Sequence, residues 1–200
     1  MTDNSAFHEI FGDVRLMAIL RGMGVERSLA VATTAWDLGI TAVEVTVQTS
    51  ADVESLRVVA EAAASRGLQV GAGTVVTTEQ VRQAKDAGAA FTVSPGFDVD
   101  VVRASHEAGL PALPGVATPT EVQRALAEGL TWLKAFPASL LGTGWFGAMR
   151  GPFPQATFVA TGGMDAASAP AFLNAGVQVV AVGSALEDPA QLPALAQLVS

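Results

Sequence analysis

The chain has 200 residues, half of them hydrophobic and 15% charged, and its formal net charge is −8 at pH 7. This length fits one domain, and the acidic balance disfavours nucleic acid and anionic membranes as partners while leaving room for a small anionic ligand. The absence of cysteine excludes disulfides and thiolate chemistry, and two histidines, His8 and His106, are too few for a metal site built on several imidazoles.

In chain order, the first predicted element is an extra helix over residues 4–12, which we expect to close the bottom of a barrel. Glycines then recur at intervals of about 20 residues, each closing a helical pattern and opening a β-rich run. Strands are predicted near residues 16–20, 41–47, 69–72, 90–93, 111–113, 131–136, 157–160 and 178–182. Amphipathic helices include those predicted over residues 51–66, 78–87, 118–128 and 190–199.

Strands that alternate with helices at this period form parallel βα units. Eight such strands predict an α/β fold of the closed (β/α)8 type, the TIM barrel, as a single domain over residues 1–200. A doubly wound open sheet is the structural alternative, although its units are usually longer. The sequence shows no signal peptide and no apolar run that is long and uninterrupted enough for a membrane span, so a cytoplasmic location is expected.

One of the two lysines lies in an apolar strand. Alternation places Lys134 on the same strand face as Trp132 and Phe136, which we expect to point into the barrel. Burial lowers the pKa of an ammonium group and yields the free amine that a Schiff base needs. A structural ion pair is the alternative interpretation, whereas Lys85 is interpreted as a solvated surface residue.

A glutamate is predicted to share that interior. In the second strand Val43, Val45 and Val47 face one way, so Glu44 faces the other and points inward. A buried glutamate there can move protons between lysine, water and substrate. The alternative is that Glu44 only forms an ion pair with Lys134 or Arg21. A nearby carboxylate would raise the pKa of the lysine, whereas burial lowers it.

Glycine-rich loops follow the last two predicted strands, as Thr161-Gly162-Gly163 and Gly183-Ser184. Barrels often bind phosphate through backbone N–H groups in these two loops, and ordinary turns are the alternative. Residues 142–147 match the pattern G-x-G-x-x-G, but residues 137–141 separate them from the strand. We therefore predict a helix-entry loop on the rim there, not a dinucleotide-binding turn.

The chain resembles the bacterial family of 2-keto-3-deoxy-6-phosphogluconate (KDPG), 6-phosphogalactonate and 4-hydroxy-2-oxoglutarate (KHG) aldolases. The resemblance covers nearly the whole chain, and the matching motifs occur in the same order. The matching segments are Ala18-Ile19-Leu20-Arg21-Gly22, Val43-Glu44-Val45-Thr46, Gly71-Ala72-Gly73-Thr74-Val75, Ser94-Pro95-Gly96, Leu113-Pro114-Gly115-Val116, Leu133-Lys134-Ala135-Phe136-Pro137-Ala138, Gly151-Pro152-Phe153-Pro154, Thr161-Gly162-Gly163 and Gly183-Ser184. The resemblance implies a class I aldolase that works as a homotrimer without a metal or cofactor.

The resemblance also implies roles for individual residues. Lys134 matches the Schiff-base lysine and Glu44 the proton-transfer residue. The pyruvate and carboxylate positions match Arg21, Thr74, Gln48, Pro95 and Phe136, and the phosphate positions match Thr161, Gly162, Gly163, Gly183 and Ser184. Many members of the family carry an arginine where this chain has Gln48, while Arg21 matches the arginine that some members use instead. This departure leaves the identity of the 2-oxo acid open.

The expected reaction is cleavage of 2-dehydro-3-deoxy-6-phosphogluconate, or a related 2-oxo-3-deoxy sugar acid, to pyruvate and glyceraldehyde 3-phosphate. The alternatives begin with a 4-hydroxy-2-oxoglutarate or 6-phosphogalactonate type of aldolase. A metal-free sugar-phosphate isomerase would use the same phosphate loops with Glu44 as its base. A non-catalytic barrel that serves as a scaffold is the third alternative.

Overall fold

A computed structural model describes residues 3–199. Parallel strand segments alternate with helices along the chain. The strand segments are β1 (Leu16–Leu20), β2 (Ala42–Thr46), β3 (Val70–Gly73), β4 (Phe91–Val93), β5 (Ala112–Leu113), β6 (Gly115–Val116), β7 (Trp132–Ala135), β8 (Thr157–Thr161) and β9 (Val179–Val182). The helices are α1 (Asp3–Phe11), α2 (Val25–Asp37), α3 (Ser50–Ser65), α4 (Thr78–Asp86), α5 (Val99–Glu107), α6 (Pro119–Ala127), α7 (Ala138–Leu141), α8 (Thr143–Arg150), α9 (Ala169–Asn174) and α10 (Leu192–Ala196), and a 3₁₀ turn covers Ser184–Glu187.

The strand order closes the sheet. It runs β5-β4-β3-β2-β1-β9-β8-β7-β6, so the first strand pairs with the last. The two ends of this order, β5 and β6, are consecutive pieces of chain that flank Pro114. The sheet therefore forms a barrel with helices outside it, which confirms the predicted (β/α)8 fold and excludes the doubly wound open sheet.

The fifth strand differs from its prediction. A strand was expected over residues 111–113, but the structure has β5 paired with β4 and a second segment, β6, paired with β7. Pro114 separates the segments because it has no N–H to donate to a ladder. Its carbonyl still accepts a hydrogen bond of 2.9 Å from the backbone N–H of Lys134, so the chain passes from one neighbouring strand to the other at this point.

Two helical predictions also need correction. The helix predicted over residues 190–199 is confined to α10, because Leu198 and Val199 donate to the carbonyls three residues earlier, in tight turns rather than α-helical turns. Within residues 142–147, Gly142 lies between α7 and α8, and the residues after it belong to α8 instead of a loop. The other predicted helices match within one or two residues.

The barrel separates two hydrophobic layers. Val43 and Val45 of β2 pack outward among the helices, while Glu44 and Thr46 of the same strand point inward, and all four are buried. At the bottom, α1 places Phe7 and Phe11 against Trp132 of β7, with ring centroids 6.2 and 5.2 Å apart respectively. The predicted N-terminal helix therefore closes the lower end of the barrel interior.

The rim at the carboxyl ends of the strands is held by helix caps. Thr49, Thr77 and Thr118 each begin a helix with a reciprocal capping box, in which side chain and backbone satisfy each other's hydrogen bonds. The Gln80 side chain of one such box also donates to the Val47 carbonyl at 2.8 Å. These bonds fix the loops that carry the predicted site residues.

Between Asp3 and Val199, no helix is both long enough and apolar enough to cross a membrane.

Candidate active site

Lys134 lies inside the barrel, in the middle of β7. It is 2% exposed, and it aligns in register with Gly115 of β6 and Val159 of β8. Its Nζ is 3.9 Å from Glu44 Oε1 and 5.3 Å from the centre of the Phe136 ring. The amine is thus buried beneath the carboxyl-end rim, between a carboxylate and an aromatic face.

The charge state of Lys134 follows from this surrounding. Burial lowers the pKa of the ammonium group, the Glu44 carboxylate raises it, and the Arg21 guanidinium lowers it further. The net result is a pKa below the usual lysine value, so burial outweighs the attraction of the carboxylate, a balance that the sequence had left open. A lowered pKa increases the fraction of free amine near neutral pH, which is the nucleophilic form.

The Glu44 carboxylate lies over the neighbouring strand. It is fully buried, and a Cβ built on Gly73 of β3 would lie only 2.6 Å from its Oε1. Any side chain at position 73 would therefore displace the carboxylate. Neither oxygen of Glu44 has a hydrogen-bond partner among the described residues, and 3.9 Å to Lys134 is too long for a direct hydrogen bond.

Arg21 does not pair with Glu44. Its Nη1 donates to Gln48 Oε1 at 2.8 Å and to Thr74 Oγ1 at 3.3 Å, so the residues that end β1, β2 and β3 meet on the rim. Arg21 is exposed, which leaves its guanidinium open to an anion from the barrel mouth. Thr74 has φ of 59°, an unusual conformation for a β-branched residue. This backbone geometry keeps its hydroxyl within reach of Arg21.

The Phe136 ring and the backbone of Pro95 lie beside the strands around Lys134. A Cβ at Gly162 would lie 3.0 Å from the Phe136 ring, so the loop after β8 packs directly on that ring. The backbone of Pro95 approaches Gly115 so closely that a Cβ at position 115 would collide with it. Since Gly115 is the register partner of Lys134, both predicted wall residues lie beside the lysine's strand.

The two glycine-rich loops are neighbours. Thr161 pairs in register with Ala181, so Gly162 and Gly163 follow β8 next to Gly183 and Ser184, which follow β9. Gly162 and Gly163 both have positive φ, of 98° and 71°, a conformation that glycine adopts without strain. The Thr161 side chain differs from the rest of this group because it is 3% exposed and lies inside the barrel mouth.

One residue of the chamber was not singled out from the sequence. Thr46 is fully buried on the inward face of β2, and its Oγ1 has no hydrogen-bond partner among the described residues. The alternation that placed Glu44 inward also placed Thr46 inward. A buried hydroxyl two residues from a proposed proton-transfer group was the signal that could have identified it.

A large open cleft lies at the other end of the barrel. It has a volume of about 990 Å³ and runs beside α1 and the turns that precede the strands. Its lining includes Glu9, His106 and Glu128, and it contains none of the predicted site residues. The candidate active site is therefore the chamber around Lys134 and Glu44 beneath the carboxyl-end rim, where barrel enzymes place their reactive groups.

Fold and site together define an α/β barrel of the class found in many enzymes, with a buried lysine of lowered pKa and a buried carboxylate in its interior. The family model described as "KDPG and KHG aldolase" matches residues 7–196. The chain belongs to this family, and it is an aldolase.

Relatives agree with this assignment. The chain is 37% identical over 179 residues to 2-dehydro-3-deoxy-phosphogluconate aldolase of Treponema pallidum, covering 89% of this chain and 84% of that protein. It is 35% identical to a probable 2-dehydro-3-deoxy-6-phosphogalactonate aldolase of Rhizobium meliloti, covering 87% of this chain and 82% of that protein.

Solved structures agree as well. A KDPG aldolase from Legionella pneumophila, with pyruvate captured as a covalent carbinolamine intermediate, superposes with a TM-score of 0.81. Its sequence is 28% identical, and the match covers 95% of this chain and 94% of that one. A 4-hydroxy-2-oxoglutarate/2-dehydro-3-deoxyphosphogluconate aldolase from TTHB1 superposes with a TM-score of 0.83 at 36% identity, covering 96% and 98% of the two chains.

Proposed function

We propose that this chain is a class I aldolase that cleaves 2-dehydro-3-deoxy-6-phosphogluconate to pyruvate and glyceraldehyde 3-phosphate through a Schiff base on Lys134. One observation carries the proposal: a lysine 2% exposed, with a lowered pKa, lies 3.9 Å from a buried carboxylate inside the barrel. The covalent pyruvate carbinolamine of the Legionella pneumophila relative supports the same covalent chemistry here.

The reaction begins with attack of the Lys134 amine on the 2-oxo carbon. Loss of water from the resulting carbinolamine gives an iminium, which withdraws electrons from the neighbouring bonds. The C4 hydroxyl proton then passes to Glu44, directly or through water. The electron pair of the C3–C4 bond moves toward the iminium, which releases the aldehyde and leaves an enamine. Glu44 returns a proton to C3, and hydrolysis frees pyruvate and the lysine.

Two anion sites are proposed on the rim. Arg21, held by Gln48 and Thr74, binds the carboxylate of the 2-oxo acid beside Lys134. The loops with Gly162, Gly163, Gly183 and Ser184 bind the distal phosphate through backbone N–H groups, and Thr161 belongs to the same loop. Binding energy from this remote phosphate helps to orient the reacting bond.

The carboxylate site gives a prediction for Arg21→Met. Loss of hydrogen bonds to a charged group, about 1.5–3 kcal/mol, should raise KM for the 2-oxo acid by about 10- to 100-fold. The measurement is steady-state cleavage together with pyruvate titration. Arg103→Met is the matched control because Arg103 is exposed and pairs with Glu128 away from the site. Equal KM values for wild type and Arg21→Met would contradict the assignment.

The Schiff base is tested by borohydride reduction in the presence of pyruvate, followed by peptide mass mapping. We expect one pyruvyl adduct on Lys134 and none on the exposed Lys85. A sugar-phosphate isomerase would form no adduct. A scaffold would remain folded and release no pyruvate in a cleavage assay coupled to lactate dehydrogenase.

The identity of the substrate is tested with phosphorylated and unphosphorylated substrates of both C4 configurations. We expect the phosphorylated gluconate-derived acid to have the highest kcat/KM and inorganic phosphate to inhibit competitively. Preference for the galactonate-derived epimer would reassign the chain to the type named for the Rhizobium meliloti relative. Preference for 4-hydroxy-2-oxoglutarate would remove the role given to the phosphate loops.

We also propose a homotrimer. Its support is the low charged fraction of 15% and two exposed hydrophobic side chains, Leu140 and Val76, which are 83% and 49% exposed. Sedimentation should give three times the 20.4 kDa mass of one chain.

A further inference from the structure

The chamber around Lys134 contains a set of buried oxygens without partners. Among the described residues, the buried side-chain oxygens that lack a hydrogen bond are the two carboxylate oxygens of Glu44 and the hydroxyls of Thr46 and Thr161. All four belong to inward-facing strand residues of the same barrel. Folded proteins rarely leave such groups unpaired, because burial removes their bonds to water. Their concentration in one place marks a binding region.

Of these three residues, Thr46 is the one without a role in the proposed reaction. It aligns in register with Gly73, and the Glu44 carboxylate lies over Gly73, 2.6 Å from where a Cβ would be. The carboxylate and the Thr46 side chain therefore lie near the same level of the barrel, one over β3 and the other on β2. Both are fully buried, and they make no bond to each other.

Thr92 shows what a structural threonine looks like in the same barrel. It is equally buried, at 1%, but it points outward from β4, and its Oγ1 donates to Ser105 Oγ at 2.9 Å. The Ser105 hydroxyl in turn donates to the Val101 carbonyl at 2.9 Å. The Thr92 hydroxyl thus replaces its lost hydrogen bond to water with one inside the protein, whereas the Thr46 hydroxyl has no such replacement among the described residues.

We propose that Thr46 is a further active-site residue, whose hydroxyl binds the oxygen that carries the proton between substrate and Glu44. This inference rests on the proposed aldolase function. The carrier in this proposal is a water molecule held between the Thr46 hydroxyl and a Glu44 oxygen, both of which are buried without a hydrogen-bond partner among the described residues. A hydroxyl that donates to this water fixes its orientation, while a Glu44 oxygen accepts the water's proton.

The proton balance is simple. In cleavage, the C4 hydroxyl gives its proton to the water, and the water gives one of its own to Glu44. The C3–C4 electron pair goes to the iminium, and Thr46 keeps its proton throughout. In the return step Glu44 protonates C3 of the enamine through the same water. Thr46 therefore acts in proton transfer and not in formation of the covalent adduct.

The test compares Thr46→Val and Thr46→Ser with the control Thr92→Val. For Thr46→Val we expect the adduct on Lys134 to form at wild-type yield. Cleavage kcat and deuterium exchange into the pyruvate methyl group should both fall by about 10- to 100-fold, a fraction of a full general-acid contribution. Thr46→Ser, which keeps the hydroxyl, should recover kcat to within about threefold of wild type.

Thermal stability separates the two valine variants, because we expect only Thr92→Val to lower Tm. Thr46→Val exchanges an unpartnered buried hydroxyl for a methyl group of similar size, so its Tm should equal or exceed that of wild type. Thr92→Val should lower Tm by about 2–5 °C and leave kcat unchanged.

Three results would overturn the inference: a Thr46→Val enzyme with wild-type kcat, a loss of Tm like that of Thr92→Val, or a failure of serine to restore activity. Absence of the pyruvyl adduct in the wild-type protein would instead refute the proposed function itself. The two failures are therefore distinguishable in the same experiment.

Discussion

Lys134→Met is expected to abolish the pyruvyl adduct and to reduce aldol cleavage by about 10⁴-fold or more, since the covalent route through the iminium is lost. Methionine fills a similar volume and needs no partner for a charge, which suits a side chain that is 2% exposed. The fold should therefore persist. The measurements are borohydride trapping with pyruvate, and cleavage coupled to lactate dehydrogenase.

Lys85→Met is the matched control. Lys85 is exposed on α4, and it is the only other lysine of the chain. It should retain both the adduct and the cleavage rate of wild type. Cleavage that survives in Lys134→Met, or adduct that moves to Lys85, would show that the buried lysine is not the nucleophile.

Glu44→Gln is expected to reduce kcat by about 10²- to 10⁴-fold, the usual contribution of a general acid–base residue. The amide keeps the shape of the carboxylate, so the approach over Gly73 is preserved. Adduct formation with pyruvate should continue, more slowly. Glu61→Gln, an exposed carboxylate on α3, should have no effect. A Glu44→Gln enzyme with wild-type kcat would exclude the carboxylate as the proton-transfer residue.

The same variant should shift the pH dependence of adduct formation. The negative charge of Glu44 raises the pKa of Lys134, against the dominant lowering by burial. Removing that charge lowers the lysine pKa further, so the free amine persists to lower pH. The acidic limb of the adduct-formation rate should therefore move to lower pH in Glu44→Gln. A shift toward higher pH would contradict the electrostatic account of the site.

The sequence predicted most of the fold because its signals are local. Glycines that end helices, a period of about 20 residues and strict alternation in β2 identified the barrel and turned Glu44 inward. Alternation in the seventh strand did the same for Lys134. The break at Pro114 was missed, because a two-residue strand segment is too short to show a pattern. The helix predicted over 190–199 was too long, because periodicity does not distinguish an α-helix from successive tight turns.

The site was predictable only in part, because its finer features depend on distances across strands. The hydrogen bonds from Arg21 to Gln48 and Thr74 join the ends of three strands, and no spacing along the chain reveals them. The close approach of the Glu44 carboxylate to Gly73 likewise follows from register between β2 and β3. The balance that lowers the lysine pKa depends on burial, which sequence alone could not weigh against a carboxylate.

The aromatic cluster of Phe7, Phe11 and Trp132 below the barrel bears on the order in which substrates bind and products leave. Because α1 closes that end, substrates reach Lys134 and products leave it through the rim. In the proposed reaction, the aldehyde forms on the rim side and leaves first, while the three-carbon half is still bonded to Lys134 below it. In the synthetic direction pyruvate must enter before the aldehyde, and an aldehyde that arrives early blocks the way. Excess aldehyde should therefore act as a dead-end inhibitor that pyruvate displaces.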